Sequence, residues 1–319
     1  MATPTLRAAD SGLKNPSELV EPTLEALDTI IIGKPTELRL SLACLLARGH
    51  LLIEDVPGVG KTTLAHALAK ALDLSYQRIQ FTSDLLPADV IGVSVYGRDT
   101  GRFEFHKGPI FSHLVLADEI NRATPKAQSA LLEAMEERQV TADGDTYSLP
   151  SPFFVVATRN PTEQIGTFPL PESQLDRFLM QISLGYPQPA EERVLLANGD
   201  RRDLVAELEP VLSKDTLVRL QGAVSTIHMA DAALDYVQAL VAFTRDSGKF
   251  TAGLSPRGAL ALVRAAQAWA MMAGHNGVHP EDIQAVLPSV VAHRLDPARD
   301  GEVAANGIGE LILEAVPVT

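Results

Sequence analysis

Short apolar runs alternate with amphipathic segments over the first 187 residues of the chain. The apolar runs predict buried strands at residues 50–53, 76–81, 113–117, 153–158 and 179–183. Between them, apolar residues at helical spacing and strings of strong helix formers predict helices, among them residues 17–32, 37–47 and 64–72. Strands that alternate with helices are typical of an α/β fold with a mostly parallel sheet.

The strand pattern stops at residues 185–189, which read Gly-Tyr-Pro-Gln-Pro. From there on, apolar residues recur at helical spacing, for example at Leu217, Leu220, Val224 and Ile227. We therefore predict a tail at residues 1–16, an α/β domain at residues 17–187 and an all-helical domain at residues 188–319.

Two segments inside the α/β domain have the features of β-hairpins. The first, at about residues 91–109, places strand-forming residues on both sides of a glycine-bounded turn at residues 97–101. The second, at about residues 138–150, is centred on Asp143-Gly144, a dipeptide that favours tight hairpin turns. Each hairpin either contributes to a functional surface of an oligomer or is an ordinary surface hairpin. The sequence leaves both interpretations open.

Composition and charge narrow the class of protein. The chain has 319 residues, 46% of them hydrophobic and 21% charged, which is typical of a folded soluble protein. Its net charge of −13 disfavours nucleic acid as a partner, although a local basic patch could still bind one. The single cysteine excludes a disulfide framework and suits a reducing cytoplasm. The sequence shows no secretion signal and no uncharged run of the ~20 residues that span a bilayer, so we expect a cytoplasmic protein without membrane insertion.

Residues 54–63 predict a phosphate-binding loop, because they join a predicted strand to a predicted helix. Gly58 and Gly60 allow backbone N–H groups to converge on phosphate oxygens, and the helix N-terminus adds a favourable dipole. Lys61 supplies a positive charge and Thr62 a hydroxyl for Mg²⁺. The alternative is an ordinary glycine turn between a strand and a helix. The candidate nucleotide-binding residues are Asp55, Val56, Pro57, Gly58, Val59, Gly60, Lys61, Thr62 and Thr63.

Asp55 departs from the general phosphate-loop pattern, which has glycine at that position. Aspartate tolerates left-handed backbone better than most residues do. We therefore expect the turn to form without the glycine.

Polar residues follow two of the predicted strands. Asp118 and Glu119 end the strand at residues 113–117, where two adjacent acids suit Mg²⁺ binding by Asp118 and activation of a water molecule by Glu119. Asn160 follows the next strand and would emerge beside them, since the carboxyl ends of parallel strands meet at one edge of a sheet. The alternatives are a solvated turn for the two acids and a turn-forming role for Asn160, which precedes Pro161.

Two arginines are further candidates. Arg177 ends a short predicted helix and either pairs with Asp176 at the surface or reaches the γ-phosphate bound by a neighbouring subunit. Arg257 lies in the first turn of a helix that begins at Pro256, where the helix dipole and the guanidinium group both favour an anion. As an isolated feature, Arg257 could equally be a surface arginine.

Together with these sites, several longer runs resemble the MoxR family of AAA+ ATPases. The most specific are Leu-Ala-Asp-Glu-Ile-Asn-Arg-Ala at residues 116–123, Gln-Ser-Ala-Leu-Leu-Glu-Ala-Met-Glu-Glu at residues 128–137, and residues 169–178. The resemblance extends from about residue 31 to the end of the chain. It implies a five-stranded parallel sheet of order 5-1-4-3-2, followed by a helical lid domain. It also implies that the two hairpins correspond to the helix-2 insert and the pre-sensor-1 hairpin of this family.

The resemblance also implies a role for each candidate residue. Lys61 and Thr62 would belong to Walker A, Asp118 and Glu119 to Walker B, and Asn160 to sensor 1. Arg177 would be an arginine finger that acts on a neighbouring subunit, and Arg257 the sensor 2 residue of the lid. Ile31, Ile32 and Gly33 match the segment that packs against adenine. Family members carry either glycine or an acid at the position of Asp55, whereas Arg159 stands where the family commonly has glutamine, so its contacts are left open.

The function implied by this resemblance is Mg²⁺-dependent ATP hydrolysis by a homo-oligomeric ring, a hexamer. Relatives couple such turnover to maturation, activation or metal insertion in partner protein complexes, often with a von Willebrand factor A domain. One alternative is a nucleic-acid remodelling motor of the same clade, which the acidic net charge disfavours. A second alternative is a scaffold that binds ATP without turnover, which the presence of Glu119 and Arg177 disfavours.

Overall fold

The computed structural model describes residues 15–99, 101–160, 166–198, 202–298 and 307–318. Of the predicted tail at residues 1–16, residues 1–14 lie outside the described residues. The helices of the first part of the chain are α1 (Pro16–Asp28), α2 (Pro35–Leu46), α3 (Lys61–Ala71), α4 (Pro87–Ile91), α5 (Pro125–Glu137) and α6 (Glu172–Leu175). The strands are β1 (Leu51–Glu54), β2 (Tyr76–Gln80), β3 (Gly92–Gly97), β4 (Arg102–Lys107), β5 (Leu114–Asp118), β6 (Gln139–Ala142), β7 (Asp145–Ser148), β8 (Phe154–Arg159) and β9 (Met180–Ile182).

The predicted first helix, residues 17–32, is too long at its C-terminal end. α1 begins at Pro16 with Asn15 as its cap and ends at Asp28. The chain then turns through residues 29–32, and Gly33 has a φ angle of +69° that favours glycine. Apolar residues continue past the helix because Ile30 and Ile31 are buried in the turn itself, so periodicity alone overestimates the helix.

Five strands form one parallel sheet in the order β2-β5-β8-β1-β9. When only these five strands are numbered along the chain, β1, β2, β5, β8 and β9 become strands 1 to 5. Read from β9 to β2, the order is then 5-1-4-3-2, so the order implied by the resemblance is confirmed. Alternate residues of β1 face two separate apolar layers: Leu51 and Ile53 pack in one, and Leu52 in the other. Both faces of the sheet are therefore covered, as expected of a parallel sheet.

The register of the sheet aligns the carboxyl ends of its strands. Gln80 of β2 lies opposite Asp118 of β5, and Glu54 of β1 lies opposite Arg159 of β8. Polar residues at these ends, and in the turns directly after them, therefore share one edge of the sheet, here called the carboxyl edge. The amino edge lies at the other end of the strands, next to residues such as His50 and Leu179.

Two antiparallel hairpins project from the sheet region. β3 pairs with β4, and β6 pairs with β7. Phe105 of the first hairpin stacks on Tyr147 of the second, with ring centroids 4.4 Å apart. At the free end of the first hairpin, Tyr96 and Phe103 make an edge-to-face pair at 5.3 Å, and more than half of each side chain is exposed.

After β9 the regular elements are helical. They are α7 (Pro189–Asn198), α8 (Arg202–Glu207), α9 (Lys214–Val224), α10 (Asp231–Asp246), α11 (Pro256–Met272), α12 (Pro280–Val291) and α13 (Ile308–Ala315). Their apolar faces join the same core as the α/β part, since Leu262 of α11 and Val286 of α12 belong to one buried cluster with Leu42 and Leu68. Across the described residues, no helix combines the length and the apolar character needed to cross a membrane.

Candidate functional site

The predicted phosphate-binding loop, here called the cradle, connects β1 to α3. Gly58 and Gly60 have φ angles of +88° and +98°, which glycine adopts without strain. A Cβ atom at either position would meet no heavy atom within 4 Å, so both glycines border open space. Gly60 caps α3, and Lys61 and Thr62 are its first two residues. The free N–H groups at the start of this helix make the space suitable for an anion.

The space is a cavity of about 500 Å³, here called the phosphate cavity. Three segments that are far apart in the sequence line it: the loop after β1, the end of β5 and the end of β8. Its lining residues are Pro57, Gly58, Gly60, Lys61, Thr62, Thr63, Asp118, Glu119 and Asn160. The structure thus brings the predicted cradle, the two acids and the asparagine around one cavity.

Asp55 anchors the start of the cradle through its side chain. One carboxylate oxygen accepts hydrogen bonds from Ser183 Oγ (3.1 Å) and from the N–H of Gly185 (2.7 Å), both just after β9. The other oxygen accepts a hydrogen bond from the N–H of Val56 at 2.8 Å. The turn forms without a glycine at this position, but not through left-handed backbone at Asp55, because the positive φ angles of this loop belong to its two glycines. The aspartate instead ties the loop to the neighbouring strand, which glycine cannot do.

Lys61 is almost fully buried beneath the phosphate cavity. Its ammonium group donates hydrogen bonds to the carbonyl oxygen of Asp55 (2.6 Å) and to Oδ1 of Asn160 (3.4 Å). Burial lowers the pKa of Lys61, and four carboxylates oppose this effect: Asp55, Asp118, Glu119 and Glu54. The acids of the site therefore stabilise the charged form of the lysine.

Asp118 is buried, and both of its carboxylate oxygens are held in place. Oδ1 accepts a hydrogen bond of 2.6 Å from Thr158 Oγ. Oδ2 accepts hydrogen bonds from Nε and Nη2 of Arg78, at 3.0 and 2.7 Å. The Thr158 hydroxyl also accepts the N–H of Glu119 at 2.8 Å, so one side chain positions both acids. Sequence reasoning missed Thr158 and Arg78, because their proximity to Asp118 depends on the strand order.

Glu119 adopts a left-handed backbone conformation, with φ of +56°, which is uncommon for a residue other than glycine. Its Oε1 accepts a hydrogen bond from Asn160 Nδ2 at 3.2 Å. Its Oε2 accepts a hydrogen bond from Gln80 Nε2 at 2.9 Å and lies 3.2 Å from Nε of Arg122. Sequence reasoning also missed Gln80 and Arg122. Gln80 is the last residue of β2, and only the pairing of β2 with β5 places it beside the two acids.

The donor set of the phosphate cavity fits Mg²⁺. Thr62 and Asp118 both line the cavity and offer a hydroxyl and a carboxylate oxygen, the hard oxygen ligands that this ion prefers. The glycines of the cradle leave room for phosphate groups beside them. These residues could therefore hold Mg²⁺ together with the phosphates of a nucleotide.

A second cavity, of about 460 Å³, adjoins the first and shares Gly58, Gly60 and two other residues with it. Among the residues that line it are large side chains from the turn after α1, from the cradle, from the loop after β9 and from α7: Ile31, Ile32, Val59, Tyr186, Leu195 and Leu196. Gly33 lies next to this cavity without lining it, and a Cβ there would come within 1.9 Å of a side-chain carbon of Glu191. An apolar cavity that opens into a phosphate cavity suits the base of a nucleotide.

Arg159 has a defined structural role beside the site. Its Nη2 atom lies 2.5 Å from Oε2 of Glu54 and 3.2 Å from Oε1 of Gln181. Gln181 also donates to Glu54, at 3.0 Å. These three residues belong to adjacent strands, so this group connects β8, β1 and β9 directly behind the cradle.

Arg177 and Arg257 lie together, although 80 residues separate them in the sequence. Nε of Arg177 is 3.1 Å from Oε2 of Glu136, and Nη2 of Arg257 contacts Oε1 of the same carboxylate. The alternative of a surface pair between Arg177 and Asp176 is wrong, because Asp176 pairs with Arg294 at 2.7 Å. Sequence reasoning did not single out Glu136 within its longer run.

This arginine pair lies at the amino edge of the sheet. The cavity around it is also lined by His50 and Leu179, which directly precede β1 and β9. The phosphate cavity lies beyond the other ends of the strands. The four residues of β1 span about 13 Å. Arg177 and Arg257 are therefore separated from the phosphate cradle of their own chain by the depth of the sheet.

Comparison with known proteins agrees with this architecture. The sequence model of the ATPase family associated with various cellular activities (AAA) matches residues 50–180, and that of the AAA lid domain matches residues 242–310. The first match contains the cradle, Asp118, Glu119, Asn160 and Arg177. The second begins in α10 and contains Arg257.

Individual relatives resemble the chain over most of its length. It is 46% identical to the uncharacterized protein YeaC of Bacillus subtilis, over 94% of this chain and 95% of that protein. It is 40% identical to the Chaperone MoxR1 of Mycobacterium tuberculosis, over 89% of this chain and 77% of that protein. A crystal structure from Cytophaga hutchinsonii superposes with a TM-score of 0.85 at 35% identity, covering 95% of this chain and 96% of that one.

Proposed function

Because the chain belongs to the MoxR family of AAA+ ATPases, we propose that it hydrolyses ATP with Mg²⁺ as part of a homo-oligomeric ring. The observation that carries this proposal is the convergence of Lys61, Asp118, Glu119 and Asn160 on one cavity at the carboxyl edge of the sheet. An ATP-binding protein without turnover would have no need for a carboxylate held as Glu119 is. ATP is accordingly the substrate and Mg²⁺ the cofactor.

The cradle binds and orients the triphosphate. The N–H groups around Gly58 and Gly60 and the ammonium group of Lys61 contact phosphate oxygens. Thr62 and Asp118 hold Mg²⁺, which neutralises charge on the phosphate oxygens when it is bound. Thr158 and Arg78 keep Asp118 in one orientation, and the second cavity, with Ile31 and Ile32, receives the base.

Glu119 positions the attacking water. Its carboxylate accepts a proton from this water while the water oxygen attacks the γ-phosphorus and ADP leaves. Asn160 and Gln80 donate hydrogen bonds to the Glu119 carboxylate. Both are neutral amides that can move from the carboxylate to the water or to the phosphate. Asn160 also contacts Lys61 and so links the acid to the cradle. The transition state is stabilised mainly by positioning and charge rather than by covalent chemistry.

Arg177 and Arg257 act on the nucleotide of a neighbouring subunit. Both lie at the amino edge of their own sheet, where they share Glu136, so their own cradle is out of reach. In a closed ring with head-to-tail contacts, the amino edge of one subunit would meet the cradle of the next. The finger and the lid arginine then complete a site that one chain alone lacks, and lid movement through Arg257 couples the nucleotide to the hairpins.

A mixing experiment tests the ring and its shared site. Arg177→Ala subunits added to wild type should lower turnover by more than their share of the subunits, because each variant also disables a wild-type cradle. An arginine finger contributes roughly 10³–10⁵ in rate in other phosphoryl-transfer enzymes. Arg219→Ala, an exposed arginine of α9, serves as the control. A loss in strict proportion to the Arg177→Ala fraction would contradict action between subunits.

The biological role that we propose is chaperone-like maturation, activation or metal insertion in a partner protein complex, in the cytoplasm and by a hexameric ring. The relative named Chaperone MoxR1 supports the chaperone role. A partner with a von Willebrand factor A domain is the expected client. The buried, unpaired thiol of Cys44 suits a reducing compartment.

The client is tested by capture with the Glu119→Gln protein loaded with ATP, which should hold its partner without turning over. A lysate of the source organism, used with and without nuclease, provides the partners, and the Lys61→Ala protein is the control because its cradle lacks the lysine. Recovery of a nuclease-resistant partner with such a domain supports the proposal. Recovery dominated by DNA or RNA would favour the nucleic-acid motor instead.

A further inference from the structure

An unusual concentration of positive charge lines the cavity at the amino edge of the sheet. This cavity, here called the arginine cavity, has a volume of about 410 Å³. The carboxylates of Glu136 and Asp176 line this cavity, together with six arginines. The arginines are Arg48, Arg138, Arg177, Arg257, Arg264 and Arg294. The whole chain has a net charge of −13, so this excess of cations runs against its overall composition.

The two carboxylates account for only three of the arginines. Arg294 is nearly buried and pairs with Asp176. It also donates to the carbonyl oxygens of Phe178 and Leu179, which makes it part of the packing of α12. Arg177 and Arg257 share Glu136, as described above.

The other three arginines lack an acidic partner among the described residues. Arg138 donates a hydrogen bond of 3.2 Å to the carbonyl oxygen of Arg48. Partial desolvation and the positive charges of Arg48 and Arg264 lower the pKa of Arg138, although all three arginines remain exposed to solvent. The three positive charges lie near enough to affect one another, and an anion bound among them would relieve their repulsion. The cavity therefore offers an incoming anion three arginines that have no acidic partner in the described part of the chain.

The position of Arg264 connects this cluster to the catalytic arginines. Arg257 and Arg264 are seven residues apart on α11, two helical turns, so both lie on the same face of the helix. Leu260 and Ala261, which also line the cavity, lie between them on that face. A ligand that enters next to Arg257 can therefore extend along the helix toward Arg264.

We propose that Arg48, Arg138 and Arg264 bind phosphate groups of the nucleotide held in the cradle of the adjacent copy, beside Arg177 and Arg257. This inference rests on the proposed function, in which the amino edge of one subunit meets the cradle of the next. Phosphate is the anion that the planar, multidentate guanidinium group binds best, and several arginines can share one phosphate chain. The arginine cavity is thus the second half of the nucleotide site.

Complementation between two defective chains tests this assignment. A Lys61→Ala chain has a damaged cradle and an intact arginine cavity, whereas an Arg264→Ala chain has the reverse. Alone, Arg264→Ala should lose roughly ten- to hundredfold in kcat/KM, the effect of one hydrogen bond to a charged group. Mixed with Lys61→Ala, it should recover severalfold, because its cradle then faces a complete arginine cavity. Arg138→Ala should behave in the same way, and Arg264→Lys, which keeps the charge, should lose less.

The controls separate failure of this inference from failure of the proposed function. Arg177→Ala mixed with Lys61→Ala must also recover; if that pair stays inactive, action between subunits itself is wrong. If that pair recovers but Arg264→Ala alone is as active as Arg219→Ala, the proposed function stands and the added role of Arg264 is overturned. It is also overturned if Arg264→Ala is inactive and is not rescued by Lys61→Ala. Loss of the oligomer in sedimentation, with KM for ATP unchanged, would assign the cluster to an acidic segment of the neighbouring chain instead.

Discussion

The side-chain amide of Asn160 donates a hydrogen bond of 3.2 Å to Oε1 of Glu119. Gln80 and Arg122 contact the other oxygen of the same carboxylate. The acid expected to activate water is therefore held by side chains from β2, from the turn after β5 and from the end of β8. Its orientation depends on how three separate segments meet at the carboxyl edge of the sheet.

The first prediction concerns the chemical step. Glu119→Gln keeps the shape of the side chain and an acceptor for Asn160 but cannot take up a proton. ATP binding should stay within about twofold of wild type, whereas turnover should fall by roughly 10²–10⁴, the usual contribution of a general base. The measurement is a nucleotide-binding titration combined with phosphate release. Glu133→Gln, at an exposed position of α5, is the control, and unchanged turnover of Glu119→Gln would remove Glu119 from its role.

The second prediction concerns Thr158, which donates to Asp118 and accepts from the N–H of Glu119. Thr158→Val removes both hydrogen bonds in a buried position and should lower the free energy of unfolding by about 1–3 kcal/mol. The Mg²⁺ concentration that gives half-maximal turnover should rise, because Asp118 is no longer oriented. Thr158→Ser keeps the hydroxyl and should retain the Mg²⁺ response. Equal Mg²⁺ curves for the valine and serine variants would argue against an orienting hydroxyl.

The third prediction concerns Glu136, which holds Arg177 and Arg257 together against their mutual repulsion. Glu136→Gln removes the charge that orients both guanidinium groups. We expect kcat to fall roughly tenfold, about the effect of one charge-assisted hydrogen bond. ATP binding by an unassembled subunit should not change, because its own cradle lies at the other edge of the sheet. Glu137→Gln, the next residue and exposed, is the control; a matching loss of ATP affinity in Glu136→Gln would instead indicate a general structural effect.

The fourth prediction concerns stability in acid. His50 is buried between α5 and β8, where its Nδ1 accepts the N–H of Val155 and its Nε2 donates to the carbonyl oxygen of Met135. Burial lowers the pKa of His50 to about 4. Because the unfolded chain binds this proton near pH 6.5, the stability that neutral His50 contributes is complete above that pH. It is lost as the pH falls toward 4, by up to roughly 3 kcal/mol.

His293 is also buried with a lowered pKa and adds to the same slope. Chemical unfolding at several pH values between 7 and 4 measures the effect. In His50→Asn, the slope of the unfolding free energy against pH should fall by the contribution of about one proton taken up on unfolding. This holds whatever the stability of the variant at pH 7. His106→Asn, at an exposed position of β4, should leave the slope unchanged, and an unchanged slope in His50→Asn would contradict the assignment.

Local patterns predicted the elements well. The strands of the five-stranded sheet lie within one or two residues of the predicted runs, because a short apolar run bounded by turn residues is typical of a buried strand. The cradle was predictable too, since Gly58, Gly60 and Lys61 act within a few residues of one another. Prediction was weaker where local preference competes with a longer-range contact. Asp55 shows this: backbone tolerance was the reason to expect a turn without glycine, but the residue acts through its side chain, which accepts hydrogen bonds from Ser183 and Gly185, about 130 residues away.

The amino-acid sequence by itself determined the order of strands and helices along the chain, the cradle and the acids that follow the strands. These features depend on periodicity and on spacing over a few residues, which the linear chain contains in full. Only the tertiary structure decided that Thr158 would orient Asp118, and that Arg177 would share Glu136 with Arg257 rather than pair with Asp176. Such partners lie some 40 to 120 residues apart, and only the strand order, the packing of α12 on β9 and the packing of α11 on α12 and α2 bring them together.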